Sequence, residues 1–297
     1  MGKAGLSGDV EDADVPAVWR ELGLPGLIDV HVHFMPRNVM AKVWAYFDAA
    51  GPLTGMPWPI AYRTEEEERL ARLRAMGVRA FPSLVYAHKP GMAAWLNAWA
   101  ADFAAPHDDV LHTFTFFPEE GARGYVEEQL RAGARLGKAH VQVGAYDPRD
   151  PLLDDVWGLL ADAGTPVVVH CGNGPAPGTW TGVGPFTEVL RRHPRLTAVV
   201  AHLGLPEYAE FVALAESYER VHLDTTMAFT DFTERAWPFP PELLPRLAAL
   251  QDRVLFGSDF PNTPYPYAHQ VEALVRLDLG DAWLRSVLHD NALHLVG

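Results

Sequence analysis

Three features are scarce or absent in the sequence, and each absence excludes a class of protein. Only one of the 297 residues, Cys171, is a cysteine, so no disulfide forms within the chain and a reducing compartment fits best. No run of about 18 apolar residues occurs, so no membrane-spanning helix is predicted. The 24 Lys and Arg residues are outnumbered by 38 Asp and Glu, which gives a net charge of −14. Because an acidic chain repels nucleic acid and anionic lipid surfaces, we expect a cytoplasmic protein that acts on a small molecule.

The first residues also lack the marks of a targeting segment. No apolar stretch typical of a signal peptide precedes Pro16. Leu6 stands where the myristoylation pattern requires Ser or Thr. We expect residues 1–26 to form an N-terminal arm that contains a short helix, Val15–Leu22.

Apolar residues make up 48% of the sequence, which is enough to bury a core without disulfide or metal crosslinks. From Leu27 onward, short runs rich in β-branched and aromatic residues alternate with longer helical runs. The predicted strands are Leu27–Phe34, Arg79–Tyr86, Val110–Phe117, Ala139–Tyr146, Pro166–Cys171, Thr197–Leu203, Val221–Thr226 and Val254–Asp259. This alternation predicts a parallel sheet.

Eight such strands are the number that closes a (β/α)8 TIM barrel, and residues 27–297 allow about 34 residues for each strand–helix unit, which suits that fold. A doubly wound open sheet is the alternative, but no G-x-G-x-x-G motif follows the first strand. We therefore expect a single barrel domain over residues 27–297. Two insertions, Asn38–Tyr62 and Gly172–Gly184, are predicted to roof the C-terminal mouth of the barrel.

Polar side chains fall at the ends of four of the predicted strands. His31 and His33 stand two apart in the first strand, so the strand period of two points both imidazoles to one face. The fifth and sixth strands reach His170 and His202, and the eighth ends on Asp259. Because barrel enzymes hold their active sites at the C-terminal ends of the strands, we expect these five side chains to converge there.

A metal ion is the simplest explanation for such a group. A single histidine at a strand end is usually structural, but five ligand-type side chains in the same setting are not explained that way. Burying several imidazoles and a carboxylate together without a cation is also unfavourable. The sequence therefore predicts a metal site, with a barrel that has lost activity and only binds a ligand as an alternative.

Four short motifs contain these five residues. They are Asp29-Val30-His31-Val32-His33 followed by Pro36, Val169-His170-Cys171-Gly172, Val200-Ala201-His202-Leu203-Gly204 and Phe256-Gly257-Ser258-Asp259-Phe260-Pro261. Taken in order, and with the final Asn291-Ala292-Leu293, they resemble the amidohydrolase superfamily and more closely its amidohydrolase-2 branch. The resemblance spans nearly the whole chain from Leu27 and implies a metal-dependent enzyme.

The resemblance also implies a role for each of the five residues. The metal ligands are expected to be His31, His33, His170 and Asp259. His202 is expected to lie beside the metal-bound water. Imidazole and carboxylate ligands without a thiolate suit Zn²⁺, with Mn²⁺, Fe²⁺ or Co²⁺ as alternatives.

Many members of the superfamily that bind two metal ions carry a carboxylated lysine at the end of the fourth strand. In this sequence Gln142 stands where that lysine is expected. Lys138 precedes the predicted fourth strand and is therefore expected at the wrong end of it. On this argument we expect one divalent metal ion per chain.

The single cysteine and the other histidines are expected to be structural. Cys171 follows His170 directly, and the strand period of two turns its side chain away from the ligands. His140 and the other histidines lack the same strand-end setting or the support of a motif. We assign them to the surface or the core.

Substrate contacts are predicted from polar and aromatic residues near the expected mouth. The candidates are Arg63, Tyr86, Asn173 and Trp180, with Lys89 as a further cation after the second strand. Arg is included because guanidinium groups bind carboxylates in a bidentate geometry. The aromatic residues suit a flat or largely apolar substrate.

The expected site suits hydrolysis of an ester, lactone or amide. A divalent cation lowers the pKa of its bound water to about 7, and Asp259 can accept a proton and later return it to the leaving group. The same residues also suit non-oxidative decarboxylation or hydration of an aromatic or enoic acid. We expect a hydrolase, with the carboxy-lyase or hydratase as the alternative. Relatives of the branch are often dimers, so the resemblance implies a possible homodimer.

Overall fold

A computed structural model describes residues 10–297 of the chain. Its strands are β1 (Leu27–Ile28), β2 (Val78–Pro82), β3 (Val110–Leu111), β4 (Thr113–Thr115), β5 (Leu136–His140), β6 (Val167–His170), β7 (Ala198–Val200), β8 (Val221–Asp224) and β9 (Val254–Leu255). Its α-helices are α1 (Val15–Glu21), α2 (Arg37–Asp48), α3 (Gly51–Thr54), α4 (Glu66–Ala75), α5 (Ala93–Ala104), α6 (Ala122–Arg131), α7 (Val141–Gly144), α8 (Pro151–Ala163), α9 (Val183–Arg192), α10 (Tyr208–Ser217), α11 (Asp231–Glu234), α12 (Leu244–Ala249), α13 (Tyr267–Arg276), α14 (Asp281–Arg285) and α15 (Asn291–Val296).

The strands pair in parallel and in chain order, as β1-β2-β3 and as β4-β5-β6-β7-β8-β9. Only one residue separates β3 from β4, which together form the third predicted strand. Backbone hydrogen bonds connect the first strand region to the last. The N–H of Val30 donates to the carbonyl of Phe256, and the N–H of Asp259 donates to the carbonyl of His31, both at 2.9 Å. This order is that of a (β/α)8 barrel, and it brings the two predicted histidines of the first strand beside Asp259.

The core has two layers because side chains alternate along each strand. Val167 and Val169 of β6 belong to the large apolar cluster that contains the helices. Val168, between them, belongs to a smaller cluster with Leu136 and Val199 from the neighbouring strands. Branched apolar side chains of this kind fill the interior of a barrel. The face that carries Val168 and Leu136 is therefore the inner face.

The fourth predicted strand is wrong by several residues, and the difference matters for the site. The strand is β5, which begins at Leu136 and ends at His140, and the chain then turns into α7. The turn begins where the N–H of Val143 donates to Nδ1 of His140 at 3.3 Å. Lys138 and His140 share the inner face with Leu136, so the expectation that Lys138 falls outside the site is incorrect.

The two insertions reach the mouth as predicted. Helix α2 and the 174–178 segment both line the cavity above the strand ends. In the N-terminal arm, α1 buries Val15 and Val18 in the large core cluster, while residues 1–9 of the predicted arm lie outside the described residues. Within residues 10–297, no helix is both long enough and apolar enough to cross a membrane.

Candidate metal centre

Three side chains predicted as ligands meet at the strand ends. Oδ1 of Asp259 lies 3.0 Å from Nε2 of His33 and 3.8 Å from Nε2 of His31. All three residues are buried. Within residues 10–297 they are the one group of three or more His, Cys, Asp or Glu side chains whose ligand atoms all lie within 4.8 Å of one another.

Nδ1 of His31 and Nδ1 of His33 both form hydrogen bonds with groups outside this cluster of three residues. Nδ1–H of His31 donates to Oδ2 of Asp224 at 2.9 Å. Nδ1–H of His33 donates to the carbonyl of Leu84 at 2.7 Å. These contacts fix both rings in the tautomer that turns an unprotonated Nε2 toward Asp259. Partners of this kind behind metal-ligating histidines orient the rings and raise their basicity.

The electrostatics of Asp259 keep it ionised. Burial by itself raises the pKa of this carboxyl, but as the pH falls and the imidazoles gain protons, the hydrogen bond and charge of His33 and the charges of His31 and His202 outweigh burial and hold the pKa well below its ordinary value. Burial is also the main cause that lowers the pKa of His31 well below its ordinary value. The centre therefore combines a carboxylate with neutral imidazole at neutral pH.

These residues fit a divalent cation. When His33 is neutral, its one ring proton is given to Leu84, so Nε2 and the carboxylate oxygen of Asp259 face each other at 3.0 Å as two acceptors. Two acceptors at that distance repel each other unless a proton or a cation lies between or beside them. A nitrogen–nitrogen–oxygen set of this type is a common ligand set for Zn²⁺ and related cations.

Lys138 is a site residue that the sequence analysis missed. Its side chain is fully buried, and Nζ lies 3.1 Å from Nε2 of His31. Burial lowers the pKa of Lys138 to about 8, while the negative charges of Asp224 and Asp259 oppose that shift. The ammonium group of Lys138 thus donates to the ring nitrogen of His31 that faces Asp259.

His170 and His202, from the ends of β6 and β7, complete the predicted set. Nε2–H of His170 donates to the carbonyl of Gly174 at 2.8 Å, which leaves Nδ1 unprotonated. His170 falls outside the close group of three, but its ring centroid lies 4.8 Å from that of His202. Nδ1–H of His202 donates to the carbonyl of Thr226 at 3.2 Å, so an unprotonated Nε2 remains on this side chain. Burial lowers the pKa of His202 to about 4.

His140 is a second residue that the sequence analysis assigned wrongly. Its ring stacks on His170 with centroids 4.2 Å apart and planes 13° apart, because the two residues are paired in the register of β5 and β6. Tyr86 also contacts the ring of His140, with ring centroids 4.7 Å apart. Burial lowers the pKa of His140 well below its ordinary value. His140 is therefore part of the site and not of the surface or the remote core.

Two buried aspartates support the backbone of the site. Asp224 accepts the N–H of His202 at 2.8 Å as well as the ring proton of His31. Asp29 accepts the N–H of His31 at 3.0 Å and that of Ser258 at 3.2 Å.

Both His202 and Asp259 have positive φ angles, of 57° and 71°. Non-glycine residues held in this region carry strain that surrounding contacts must offset, and such residues cluster at functional sites.

A cavity of about 810 Å³ opens above these residues. Asp259 is the one carboxylate among the described residues that line it. The upper wall is formed by α2 and by residues 88–95, and three apolar side chains that line the cavity, Tyr46, Trp95 and Val143 of α7, are between 40% and 47% exposed. The site thus lies at the base of a pocket with an apolar rim.

Of the four residues predicted to contact substrate, one lines this cavity. Tyr86 lies against His33, with ring centroids 5.6 Å apart. Arg63 is instead held outside the wall by an ion pair with Asp48. Asn173 and Trp180 are also outside the lining residues, where Asn173 hydrogen-bonds Glu207 and Thr181, and Trp180 lies beneath the guanidinium group of Arg149. These three polar and aromatic side chains bind other parts of the protein.

The buried cysteine agrees with its expected structural role. Cys171 is fully buried in the large apolar cluster. Burial raises the pKa of its thiol far above the ordinary value. The side chain is therefore neither a thiolate ligand nor a nucleophile at neutral pH.

Solved structures of other proteins share the fold. An uncharacterized TIM-barrel protein of Bordetella bronchiseptica superposes with a TM-score of 0.70 at 20% identity, over 91% of this chain and 98% of that one. The 5-carboxyvanillate decarboxylase of Novosphingobium aromaticivorans, solved with manganese and 4-hydroxy-3-methoxy-5-nitrobenzoic acid, superposes with a TM-score of 0.62 at 15% identity, over 98% and 99%. A Pseudomonas putida protein proposed to be a 2-pyrone-4,6-dicarboxylic acid hydrolase gives 0.59 at 19% identity, over 92% and 98%.

The sequence itself establishes the family. The profile of the amidohydrolase family matches residues 28–297, which is nearly the whole chain. No protein of curated function matches the sequence. The matched region contains the three-residue ligand group, the supporting aspartates and all of the strands except Leu27, the first residue of β1. The chain is therefore an enzyme of the amidohydrolase family, of the amidohydrolase-2 type, built on a (β/α)8 barrel and equipped with a site for a divalent metal.

Proposed function

We propose that the enzyme hydrolyses an ester, lactone or amide of a small organic anion, using one divalent cation per chain. His31, His33 and Asp259 would hold the cation, and His170, which keeps one unprotonated ring nitrogen, would supply a fourth ligand. Zn²⁺ is the expected ion, because the ligands are imidazole and carboxylate in a small set without a thiolate. Mn²⁺, Fe²⁺ and Co²⁺ are the alternatives to compare with it.

One observation carries this proposal. The Nε2 atom of His33 and Oδ1 of Asp259 face each other at 3.0 Å, while the ring proton of His33 is committed to Leu84. Both residues are buried, and a divalent cation would relieve the repulsion between these two acceptors while both stay unprotonated. A cation held there supplies acidity to a water molecule and polarises a substrate oxygen.

The residues around that position supply the proton transfers. Asp259 is ionised, and it accepts a proton from the attacking water and returns it to the leaving group. His202 presents an unprotonated Nε2, because its Nδ1–H is given to Thr226. It accepts a hydrogen bond from the same water and orients one lone pair of that water toward the substrate carbon. Asp224 accepts hydrogen bonds from both His202 and His31, so these two residues keep one relative position.

The polarity of the cavity supports an anionic substrate with an apolar body. Lys42 and Lys89 line the cavity and are exposed, and neither has an acidic partner among the described residues. Both lie near His88, since their charges add to the effect of burial in lowering its pKa. Unpaired cations at the mouth of a chain with a net charge of −14 attract a carboxylate or a similar anion. The exposed Tyr46 and Trp95 beside them provide apolar contact area.

Decarboxylation of such an anion is the second candidate function. Lys138 does not line the cavity, but its ammonium group lies directly behind His31, which does, and this added positive charge favours an anionic substrate there. The structural similarity to a 5-carboxyvanillate decarboxylase is a reason to test this reaction. The two functions differ in product, since one releases an acid and the other releases CO₂.

The test is a product assay on metal-loaded enzyme with a panel of lactones, esters, amides and aromatic or enoic carboxylates. Acid release is followed by a pH indicator and CO₂ by a coupled assay, with a chelated sample as the control. The hydrolase proposal predicts acid release that disappears on chelation and returns with metal. Release of CO₂ in place of acid assigns the enzyme to the carboxy-lyases.

The cellular compartment and the assembly of the enzyme are also proposals. The single buried cysteine and the acidic charge support a cytoplasmic enzyme that binds neither nucleic acid nor membrane. A homodimer is the assembly to test, by light scattering of the purified full-length chain.

A further inference from the structure

His140 lies at the site but has no place among the metal ligands or the proton acceptors described above. It ends β5 and is buried, with its ring stacked on that of His170 and in contact with that of Tyr86. It also lines the cavity. These ring contacts, together with the hydrogen bond to its Nδ1, restrict the orientation of the ring, so the direction of each of its nitrogens is set by the fold.

Hydrogen bonding determines which nitrogen of His140 carries the proton. The backbone N–H of Val143 donates to Nδ1 at 3.3 Å, so Nδ1 is an acceptor and carries no hydrogen. The ring proton is therefore on Nε2. No residue in the described part of the chain accepts a hydrogen bond from Nε2 of His140, and this N–H remains available to a molecule in the cavity.

His202 has the opposite arrangement. There Nδ1–H donates to the carbonyl of Thr226, and Nε2 is the unprotonated atom. Backbone groups thus fix two imidazoles of one cavity in opposite tautomers. His202 offers an acceptor, and His140 offers a donor.

From this geometry we infer that His140 is a catalytic residue that stabilises the oxyanion formed during hydrolysis, through its Nε2–H. The oxygen of water forms a bond to the carbonyl carbon as the π bond opens, and the electron pair moves onto the carbonyl oxygen. His140 donates a hydrogen bond to that oxygen and transfers no proton. When the carbonyl re-forms, the bond to the leaving oxygen or nitrogen breaks, and that atom takes the proton held by Asp259. This role rests on the hydrolase function proposed above.

A donor that is already oriented is effective in such a role. Removing one oriented donor from an oxyanion site commonly lowers kcat by about 10²- to 10³-fold. The cap of α7 already fixes the Nδ1 side of His140, and the stack on His170 fixes the plane of the ring. Little reorganisation is therefore needed when charge develops on the substrate.

A matched pair of substitutions separates this role from a structural one. His140→Asn places an amide oxygen near the position of Nδ1, so it keeps the acceptor for Val143 and loses the donor. His140→Gln places an amide nitrogen near the position of Nε2, so it keeps the donor and loses that acceptor. We expect His140→Asn to lower kcat by about 10²- to 10³-fold with little change in KM, and His140→Gln to retain activity within about tenfold. Metal content, measured by mass spectrometry, is expected to stay unchanged in both.

Other outcomes overturn the inference. Greater activity in His140→Asn than in His140→Gln identifies a structural cap, and loss of metal in either variant identifies a ligand. ¹⁵N NMR of histidine in the metal-free protein gives a readout that is independent of turnover, with the His140 resonance assigned by its absence in His140→Gln. A proton on Nδ1 of His140 contradicts the inference, whereas one on Nε2 agrees with it. Failure of the proposed function is distinct, because the wild-type enzyme then releases no acid from any ester, lactone or amide.

Discussion

Nζ of Lys138 lies 3.1 Å from Nε2 of His31, on the same side of the imidazole that faces Asp259. The opposite nitrogen of His31 is occupied by Asp224. A lysine ammonium and a divalent cation therefore compete for one lone pair. Because burial lowers the pKa of Lys138 to about 8, loss of a single proton near pH 8 removes this competition and leaves Nε2 of His31 free to bind metal.

Replacing Lys138 tests how many metal ions the centre holds. Lys138→Met removes the charge and keeps much of the side-chain volume. A one-metal centre predicts about one ion per chain in both the wild type and the variant, with tighter binding in the variant because a positive charge is gone. Metal content by mass spectrometry and affinity by competition with a chelating dye are the measurements. Two ions in the wild type and one in Lys138→Met show that the lysine supports a second metal.

Substitutions at the ligands and at His202 are expected to differ in kind. His33→Ala removes a ligand, so metal and activity are lost together. His202→Ala leaves the close ligand group intact, so metal is retained while kcat falls by about 10²- to 10⁴-fold. Metal analysis and kinetics on the same preparations separate the two effects. A fully active His202→Ala enzyme excludes this residue from the mechanism.

Asp224 is expected to raise the metal affinity of the site through its hydrogen bond to Nδ1–H of His31. Asp224→Asn keeps the shape of the side chain but weakens the contact that holds Nδ1–H of His31 and the N–H of His202. Loss of such a supporting partner commonly lowers metal affinity or activity by about 10- to 100-fold. The affinity is measured by dye competition, with Asp252→Asn on the exposed surface as the control. Equal affinities in Asp224→Asn and the wild type contradict this role.

Lys42 and Lys89 are expected to select the substrate by its charge. Lys42→Met and Lys89→Met remove the unpaired cations at the mouth and keep apolar length. KM is expected to rise by about 5- to 30-fold for an anionic substrate, in line with a charge contact worth about 1–2 kcal/mol, and to stay unchanged for a neutral analogue. Steady-state kinetics on the matched pair of substrates provides the test. An equal change for both substrates indicates that the lysines act on cavity shape and not on charge.

His222 makes a prediction about pH that is independent of the metal. Burial is the main cause that lowers its pKa to about 4 in the folded protein, from an ordinary value of 6.5. The unfolded chain therefore binds the proton first as the pH falls, so the folded state loses stability between pH 6.5 and pH 4 and keeps it in full above 6.5. The loss by pH 4 is about 3 kcal/mol, because each pKa unit corresponds to about 1.4 kcal/mol.

The measurement is urea unfolding of the metal-free protein at a series of pH values, with His222→Gln as the comparison. The variant lacks the titrating ring, so its free energy of unfolding should fall less steeply between pH 6.5 and pH 4. Parallel curves for the two proteins contradict the assignment to His222.

The sequence predicted the parts of the site that depend on strand periodicity. His31 and His33 converge with Asp259 because residues two apart share a face and parallel strands end at one edge. Lys138 and His140 were missed because the apolar run after His140 looked like more strand, whereas a side-chain cap turns the chain into α7 at that point. Lys138 and His140 stand two apart in β5, so correct placement of the strand would have found both.

The substrate contacts were predicted less well, for a different physical reason. Arg63 and Asn173 lie near the expected mouth in sequence, but their hydrogen-bonding groups are taken by Asp48 and Glu207. Partners of this kind come from distant parts of the chain, and periodicity carries no information about them. Asp224 was missed likewise, since a single aspartate at a strand end has no pattern of its own.

The central claim is that a cation held at His31, His33 and Asp259 drives hydrolysis of an anionic substrate. The most direct measurement is acid release by the purified enzyme before chelation, after chelation, and after one equivalent of Zn²⁺ or Mn²⁺ is restored, with CO₂ followed in the same samples. The account predicts acid release that is lost on chelation and regained at about one metal ion per chain. Acid release that persists in the metal-free enzyme, or release of CO₂ in place of acid, contradicts it.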